Sequence, residues 1–277
     1  MTQEINWLQI LIQCKKAVKE QIKPLLKTRK QPQREYGIGA GGDQIKQVDL
    51  IAENAIINTL QQTNISFTLI SEESGIKKCG RNPNKHFVTI DPVDGSTNFS
   101  RGIPFYATSL AVSTKPTLNT IHTALVTDLT HDATYTAHKG KGAYCNNKKI
   151  APSKETSLTE AVIGIELHPD KAEETMSKLA TVIRETKHIR HLGANALELC
   201  YVADGTTDAF IDIRGKLRTT DLAAAWLIMN EANATITTSE GNQLNAKLSP
   251  KERVAFIASA NLQLQKKILS LIGKKTP

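Results

Sequence analysis

The segment VTIDPVDGSTNF, residues 88–99, holds the most informative pattern in this chain of 277 residues. An apolar run ends just before Asp91, and Asp94 follows after a proline and Val93. Proline fixes the backbone of a turn, so both carboxylates and the Val93 carbonyl can be aimed at one point. Hard cations such as Mg²⁺ prefer oxygen ligands of this kind. The segment therefore indicates a metal site at the end of a strand.

The next three residues, Gly95, Ser96 and Thr97, have the composition of an anion site. If a helix begins there, its free backbone N–H groups attract an anion, and the two hydroxyl groups add donors. Gly95 lacks the Cβ that would block a phosphate. A metal site beside a phosphate cradle is what hydrolysis of a phosphate ester requires. The same residues also fit an ordinary turn followed by a helix N-cap, so the segment alone leaves both interpretations open.

Two further acidic residues stand at the ends of predicted strands. Glu72 follows the run at residues 67–70, and Asp221 opens a predicted helix. Acidic side chains at strand ends project into the crevice that those ends share. Taken alone, Glu72 is explained as a surface acid and Asp221 as an N-cap. Together with the two aspartates of the first segment, they favour a single carboxylate-rich site.

The order of predicted elements indicates two differently built halves. In residues 1–152, two amphipathic helices (5–26 and 48–62) precede a run of short strands, which is typical of helices packed on a mainly antiparallel sheet. In residues 153–277, strands and helices alternate as in α/β layers. We therefore predict two sub-domains that meet at residue 152.

Between the two N-terminal helices, the chain is first basic and then rich in glycine, with the run GIGAGG at residues 37–42. A GxG pattern indicates a dinucleotide site when it follows a buried strand, and here it follows a helix. We interpret this segment as a mobile loop.

Composition and charge narrow the class of protein. Hydrophobic residues make up 40% and charged residues 22% of the chain, which is typical of a soluble globular protein. A net charge of +8 suits either a nucleic acid or a small anionic substrate. Because the basic residues are dispersed and no basic run is interleaved with aromatic residues, we predict that nucleic acid is not a partner.

The four cysteines lie far apart without CxxC spacing, so no zinc or iron–sulfur site is predicted. No signal peptide is visible, and the apolar stretches are too short to span a bilayer. We therefore predict a cytoplasmic protein with free thiols that does not associate with membranes.

Three motifs, in the expected order, resemble those of the inositol monophosphatase family. The run DPVDGSTNF (91–99) is similar to that family's DP[IV]DG[ST]TNF signature, ISEES (70–74) to its GEE[ST] motif, and DLAAA (221–225) to its [WV]D[VIL]AA motif. The resemblance spans nearly the whole chain. It implies an α+β fold, a five-layer αβαβα sandwich, and a homodimer.

The resemblance also implies roles for the matching residues. It implies two Mg²⁺ ions, and a looser third one held through water. The implied metal ligands are Glu72, Asp91, the Val93 carbonyl, Asp94 and Asp221. The implied catalytic residues are Glu72, Ser96 and Asp49, of which Glu72 and Ser96 orient the attacking water and Glu72 and Asp49 assist its deprotonation. The phosphate would lie against Asp94, Gly95, Ser96 and Thr97.

Residues 192–203 and 208–215 resemble the archaeal branch of the family, whose members often accept both inositol 1-phosphate and fructose 1,6-bisphosphate. Arg214 stands where the animal members have a glutamate, and an arginine suits a second phosphate because it binds in a bidentate manner. A salt bridge with Asp212 or another acid is the alternative for Arg214. We predict that Arg190 reaches the same pocket.

The chain departs from the archaeal pattern at two places. Asn195 replaces an alanine, which changes the predicted substrate pocket. In the glycine-rich loop, Gly41 stands where those relatives have an acid. Either Asp43 substitutes for that acid, or the third metal ion binds more weakly.

We predict a Mg²⁺-dependent phosphatase of myo-inositol 1-phosphate, of fructose 1,6-bisphosphate, or of both. A phosphatase of 3′-phosphoadenosine 5′-phosphate or of NADP is an alternative within the class, although no aromatic residue stands out as a platform for adenine. An alternative of another class is a non-catalytic protein that binds a metal or phosphate. It is disfavoured because every expected metal ligand is present.

Overall fold

The computed structural model describes residues 5–28 and 36–272, within which it has seven α-helices and thirteen β-strands. The helices are α1 (Trp7–Ile22), α2 (Gln47–Gln62), α3 (Ser96–Arg101), α4 (Ala172–Glu185), α5 (Asn195–Asp204), α6 (Thr219–Glu231) and α7 (Leu262–Leu271). The strands are β1 (Phe67–Ser71), β2 (Gly75–Cys79), β3 (Phe87–Asp94), β4 (Ala107–Ser113), β5 (Ile121–Asp128), β6 (Thr134–His138), β7 (Gly142–Cys145), β8 (Lys148–Lys149), β9 (Val162–Ile165), β10 (His188–Arg190), β11 (Ala209–Arg218), β12 (Thr235–Thr238) and β13 (Arg253–Ser259).

The strands form two sheets. The larger has the order β2-β1-β3-β4-β5-β6-β7-β8, and among its described pairs only β1 and β3 run parallel. The smaller has the order β10-β9-β11-β13-β12, with parallel pairs on the β10 side and antiparallel pairs on the β12 side. The larger sheet is thus mainly antiparallel, whereas the smaller one is mixed.

Helices cover both sheets in alternate layers. One apolar cluster joins α1 and α2 to the larger sheet, a second joins α5 and α6 to the facing sides of both sheets, and a third joins α4 and α7 to the outer face of the smaller sheet. The predicted five-layer αβαβα sandwich is confirmed. This layering buries apolar side chains, because both faces of each sheet are apolar and helices pack against them.

The first helix shows how the sequence specifies this packing. Its buried residues are Trp7, Leu11, Cys14, Val18 and Ile22. They recur every three or four positions, so they form one stripe that faces α2 and the larger sheet. After Ile22 the chain changes to a short 3₁₀ helix, Lys23–Lys27, so the α-helix ends before the predicted residue 26. Pro24 accounts for the change, because proline does not fit the interior of an α-helix.

Two strands differ from the sequence prediction. Residues 75–79 form β2 at an edge of the larger sheet, although their pattern of mostly exposed side chains lacks the alternation that indicates a strand. The apolar run at residues 208–213 predicts a strand that ends at Ile213, but strand β11 continues to Arg218, after a register shift between Asp212 and Leu217 against β13. Because α6 starts directly after Arg218, this extension sets the position of Asp221.

The predicted boundary at residue 152 falls between the strands of the two sheets, since β8 ends at residue 149 and β9 begins at residue 162. Helix α6 nevertheless packs on strands of both sheets. The division into two sub-domains stays a prediction. All four cysteines are free thiols, as predicted. No helix among residues 5–28 and 36–272 has the length and apolar character needed to cross a membrane.

Phe99 ties the short helix α3 to the core, because its side chain is fully buried and meets Tyr106 edge to face at a centroid distance of 5.2 Å. We expect Phe99→Ala to lower the free energy of unfolding by about 3–5 kcal/mol, through lost burial and the cavity left behind. Urea denaturation measures this. Phe99→Leu, the control that keeps a large apolar side chain, should cost less than half as much, and equal losses would contradict the argument.

Candidate active site

Three carboxylates from distant parts of the chain converge. Oxygen atoms of Glu72, Asp91 and Asp221 lie within 4.8 Å of one another, and no other group of three potential metal ligands in the described residues is as close. The parallel register of β1 and β3 places Ser71 beside Ile90, so the residues that follow each of them emerge at the same edge of the sheet. We call these three acids the carboxylate trio.

A buried glutamate holds the turn that carries Glu72. Glu53, from α2, is 3% exposed and accepts hydrogen bonds from the Ser71 hydroxyl and from the Ser74 backbone N–H. These contacts tie the turn to α2 on the far side of the strand. Glu53 was not predicted, although its spacing of four residues from Asp49 on a helix places both acids on one face.

Asp94 lies beside the trio but is engaged elsewhere. Its two carboxylate oxygens accept hydrogen bonds from the backbone N–H groups of Asn195 (3.0 Å) and Ala196 (2.7 Å), at the start of α5. A carboxylate at this place satisfies N–H groups that have no partner within the helix. Asp94 therefore couples β3 to the helix layer between the two sheets.

Gly95 is required by its surroundings. Its φ of 86° lies in the left-handed region, and a Cβ there would lie 3.1 Å from Ala194 Cβ, from the Gly193 carbonyl oxygen and from the Phe105 carbonyl oxygen. Protein atoms therefore crowd the position that a Cβ on residue 95 would take. The sequence interpretation assigned this space to a phosphate.

Arg218 contacts three carboxylates at once. Its guanidinium lies 2.7 Å from Glu72 (Nη2 to Oε1), 3.2 Å from Asp221 (Nε to Oδ2) and 2.5 Å from Asp43 (Nη1 to Oδ2). It therefore offsets part of the negative charge of the trio. The sequence analysis missed this residue, although its place three positions before Asp221 at a helix start is a usable signal.

The glycine-rich loop lies against the trio. The backbone N–H of Ala40 donates to the Glu73 carbonyl (2.9 Å), and that of Gly41 donates to the Glu72 carbonyl (2.7 Å). A Cβ on Gly41 would lie 3.0 Å from Arg218 Cδ and from Glu72 Cγ. The missing acid at position 41 is thus replaced by close packing on Arg218, and Asp43 pairs with that arginine. The basic residues 29–35 lie outside the described residues, and mobility of the loop stays a prediction.

Lys46 is a second cation that the sequence analysis missed. Its Nζ donates to the hydroxyls of Thr97 (2.7 Å) and Ser96 (3.2 Å). Its backbone N–H donates to the carboxylate of Asp49 (3.0 Å), which caps the start of α2. Ser96 and Thr97 open α3, as the sequence suggested.

Burial sets the protonation of these acids. It raises the pKa of Asp49 and that of Asp94 to about 7. Burial, and then the negative charge of neighbouring carboxylates, raises the pKa of Glu72 and that of Asp91 well above their usual range. Carboxylates that are crowded in this way bind a divalent cation favourably, because the cation removes both penalties.

The acids, Lys46 and Arg218 line one cavity of about 460 Å³. Of the predicted site residues, those that line it are Asp49, Glu72, Asp91, Val93, Asp94, Gly95, Ser96, Thr97, Asn195 and Asp221. Two predicted substrate residues do not. Arg190 is exposed on β10 and donates to its neighbour's carbonyl. Arg214 is taken up by acids, which was the alternative for this residue.

Arg214 is 9% exposed and bridges two carboxylates. It binds Asp212 in a bidentate manner, with Nε to Oδ1 at 2.8 Å and Nη2 to Oδ2 at 2.6 Å, and its Nη1 lies 3.1 Å from Glu166. This arrangement is that of a buried ion-pair network. A role for Arg214 in reading a second phosphate stays a prediction.

The family model described as the inositol monophosphatase family matches residues 5–276. This chain belongs to the inositol monophosphatase family. The predicted family and the predicted enzyme class, a phosphatase, are confirmed.

Relatives of this inositol monophosphatase family member span its whole length. A fructose-1,6-bisphosphatase/inositol-1-monophosphatase of Methanothermobacter thermautotrophicus is 34% identical, over 96% of this chain and 96% of its own. A crystal structure of an inositol monophosphatase–fructose 1,6-bisphosphatase has a TM-score of 0.85 and 32% identity, and covers 97% of this chain and 100% of that one. A bifunctional NADP phosphatase/NAD kinase of Methanococcus maripaludis is 32% identical over 98% of this chain, which spans 50% of that relative.

The raised pKa values predict how the stability of the metal-free protein depends on pH. Asp49 and Asp94 titrate near pH 7 when folded and near 3.8 when unfolded, so the folded state binds more protons between these values. Stability is therefore lost as pH rises through about 7. We expect the Tm in a chelator to fall by roughly 5 °C or more from pH 5.5 to 8.5.

Thermal melts at several pH values measure this change. Saturating Mg²⁺ should flatten the decline, and so should Asp49→Asn in part. A Tm in chelator that is constant or rises over this interval would contradict the assignment.

Arg214→Gln removes the guanidinium partner of two buried carboxylates, since Asp212 is fully buried and Glu166 is 5% exposed and keeps only His191 at 3.5 Å. We expect it to lower the free energy of unfolding by about 3–5 kcal/mol. Lys216→Gln, which removes an exposed ion pair with Asp170, is the control and should cost about 1 kcal/mol or less. Urea denaturation compares them, and a small effect of Arg214→Gln would show that the network is not needed for the fold.

Proposed function

We propose that this protein is a Mg²⁺-dependent phosphatase that hydrolyses phosphate monoesters of small polyols and sugars. We propose myo-inositol 1-phosphate as the first substrate and fructose 1,6-bisphosphate as a second. The observation that carries the proposal is the carboxylate trio, which lies in one cavity with the hydroxyls of Ser96 and Thr97. The name of the relative from Methanothermobacter thermautotrophicus, which matches 96% of this chain, gives these two activities and supports the choice.

The donor set fits a hard divalent cation. Every group of the trio is a carboxylate, and oxygen ligands suit Mg²⁺ far better than softer metals. Glu72, Asp91 and Asp221 would hold the ions, and the Val93 carbonyl and Asp94 line the same cavity as further ligands. An ionised carboxylate has several acceptor sites, so the contacts with Arg218 and with α5 leave capacity for a cation. We propose two ions, and a third near Asp49.

The chemistry divides between the ions and the chain. Bound divalent cations supply the positive charge that makes an attacking water more acidic and stabilises the leaving oxygen. The proton of that water passes to Glu72 or to Asp49, directly or through a second water. As the water oxygen bonds to phosphorus, the bond to the leaving oxygen breaks, and that oxygen takes a proton from another water. The Ser96 hydroxyl orients the water, and the phosphate lies against Thr97 and the backbone of Gly95. No covalent phospho-enzyme is needed.

NADP phosphatase activity is the second candidate. It is supported by the relative from Methanococcus maripaludis that matches nearly the whole chain. It ranks second because no aromatic side chain is among the described residues that line the cavity, so an adenine ring would lack a stacking partner there.

Two further proposals rest on the resemblance and on composition. The protein is a homodimer, which light scattering during size-exclusion chromatography tests. It is located in the cytoplasm, which cell fractionation tests.

Release of inorganic phosphate tests the proposed function. We expect Mg²⁺-dependent turnover of inositol 1-phosphate and fructose 1,6-bisphosphate, with lower kcat/KM for NADP and 3′-phosphoadenosine 5′-phosphate. No release from any of the four with Mg²⁺ present would overturn the proposal. A higher kcat/KM for NADP than for the first two would favour the second candidate.

Asp91→Asn removes one charged member of the trio at nearly constant volume. We expect it to lower kcat/KM by about a thousandfold or more, since the metal-held carboxylates have no substitute in the cavity. The matched control is Asp170→Asn, at an exposed carboxylate outside the cavity, and it should retain full activity. Near-normal turnover by Asp91→Asn would refute the role of the trio.

A further inference from the structure

The two cations of the cavity are placed differently. Arg218 contacts three carboxylates. Lys46 contacts two neutral hydroxyls, those of Ser96 and Thr97. No ion pair within 4 Å joins the Lys46 ammonium to a carboxylate of residues 5–28 or 36–272. Arg218 is therefore in direct contact with anions, and Lys46 is not. Burial lowers the pKa of Lys46, and carboxylates that act on it from a greater distance, Asp49 foremost, offset part of that effect.

The chain holds Lys46 in this position from both ends. Its backbone N–H is bound by Asp49 in the first turn of α2 (3.0 Å). Its Nζ is bound 50 residues further along the chain, at Ser96 (3.2 Å) and Thr97 (2.7 Å). A lysine side chain carries considerable rotamer entropy, and two anchored ends remove much of it before any ligand arrives.

The negative charge around the cavity indicates what the Lys46 ammonium can contribute. Seven carboxylates line the cavity: Asp43, Asp49, Glu72, Glu73, Asp91, Asp94 and Asp221. A phosphate ester that enters is repelled by every ionised acid that a cation does not cover. An ammonium group has three donors, so after two hydroxyl contacts Lys46 keeps one N–H and its charge for an anion.

We propose that Lys46 binds the phosphate group of the substrate, donating to one of its non-bridging oxygens from beside Ser96 and Thr97. This proposal rests on the proposed function and adds a residue to it. The Lys46 charge lies on the hydroxyl side of the cavity, whereas Arg218 lies among the trio. The phosphate thus lies between the carboxylate trio with its metal ions and the Lys46 ammonium.

Isothermal titration with two probes, Mg²⁺ and inorganic phosphate, tests the proposal on the full chain. Lys46→Met keeps most of the aliphatic stem and removes the charge. With Mg²⁺ saturating, we expect it to weaken the binding of inorganic phosphate about tenfold or more, since a charged hydrogen bond is lost. Its affinity for Mg²⁺ should be unchanged or higher, because a positive charge has left an acidic cavity.

Two variants serve as controls. Lys46→Arg keeps the charge and should bind phosphate within a few-fold of the wild type. Lys148→Met removes an exposed lysine from β8, at the far edge of the larger sheet, and should change neither affinity. A merely structural role for Lys46 would weaken the binding of Mg²⁺ and of phosphate together.

The proposal is overturned if Lys46→Met binds phosphate within about twofold of the wild type, if it loses both ligands in parallel, or if the wild type binds no phosphate. Its failure is separable from that of the proposed function. Turnover by the wild type with unchanged phosphate binding in Lys46→Met overturns the lysine alone. Weaker phosphate binding in Lys46→Met, with no wild-type turnover of any ester, supports the lysine and overturns the function.

Discussion

Repulsion among buried carboxylates is the constraint on which this site depends. Glu72, Asp91 and Asp221 bring oxygens within 4.8 Å of one another, in surroundings that raise the pKa of Glu72 and of Asp91 well above their usual range. Such a cluster is unfavourable unless cations or protons offset it. Arg218 supplies one positive charge from within the chain, and a divalent ion adds the charge that remains to be matched.

The layers of the fold bring the parts of this cluster together. Two of the acids come from the larger sheet, and the third comes from α6, which packs between the sheets. Glu53 fixes the turn that carries Glu72, and Asp94 joins β3 to α5 through two backbone hydrogen bonds. The site therefore combines residues from adjacent layers of the fold, and its geometry depends on how these layers pack against one another.

Local patterns in the sequence were sufficient to predict helices on a mainly antiparallel sheet and acids at strand ends. The five-layer sandwich came from the family resemblance, and two residues that line the cavity, Lys46 and Arg218, were missed. A β-branched run followed by an acid predicts a carboxylate at a strand end. Local sequence patterns do not predict contacts between distant segments of the chain. Lys46 meets Ser96 and Thr97 across about fifty residues, and a lysine at a helix start is usually a solvated side chain. The partners of Arg214 depend on which acids the smaller sheet places near it, and its guanidinium forms ion pairs with Asp212 and Glu166.

The parallel pairing of β1 and β3 has a further consequence for how this chain can change over time. In an antiparallel pair, the ends of successive strands lie at opposite edges, about 16 Å apart for five residues. The one parallel pair described in the larger sheet brings two such ends together, whereas β6, β7 and β8 lie beyond β5 and contribute no residue to the cavity. At that far edge, β6 and β7 are constrained by their packing on α6 and not by the chemistry of the cavity, whereas the connection between β1 and β3 is held to one topology.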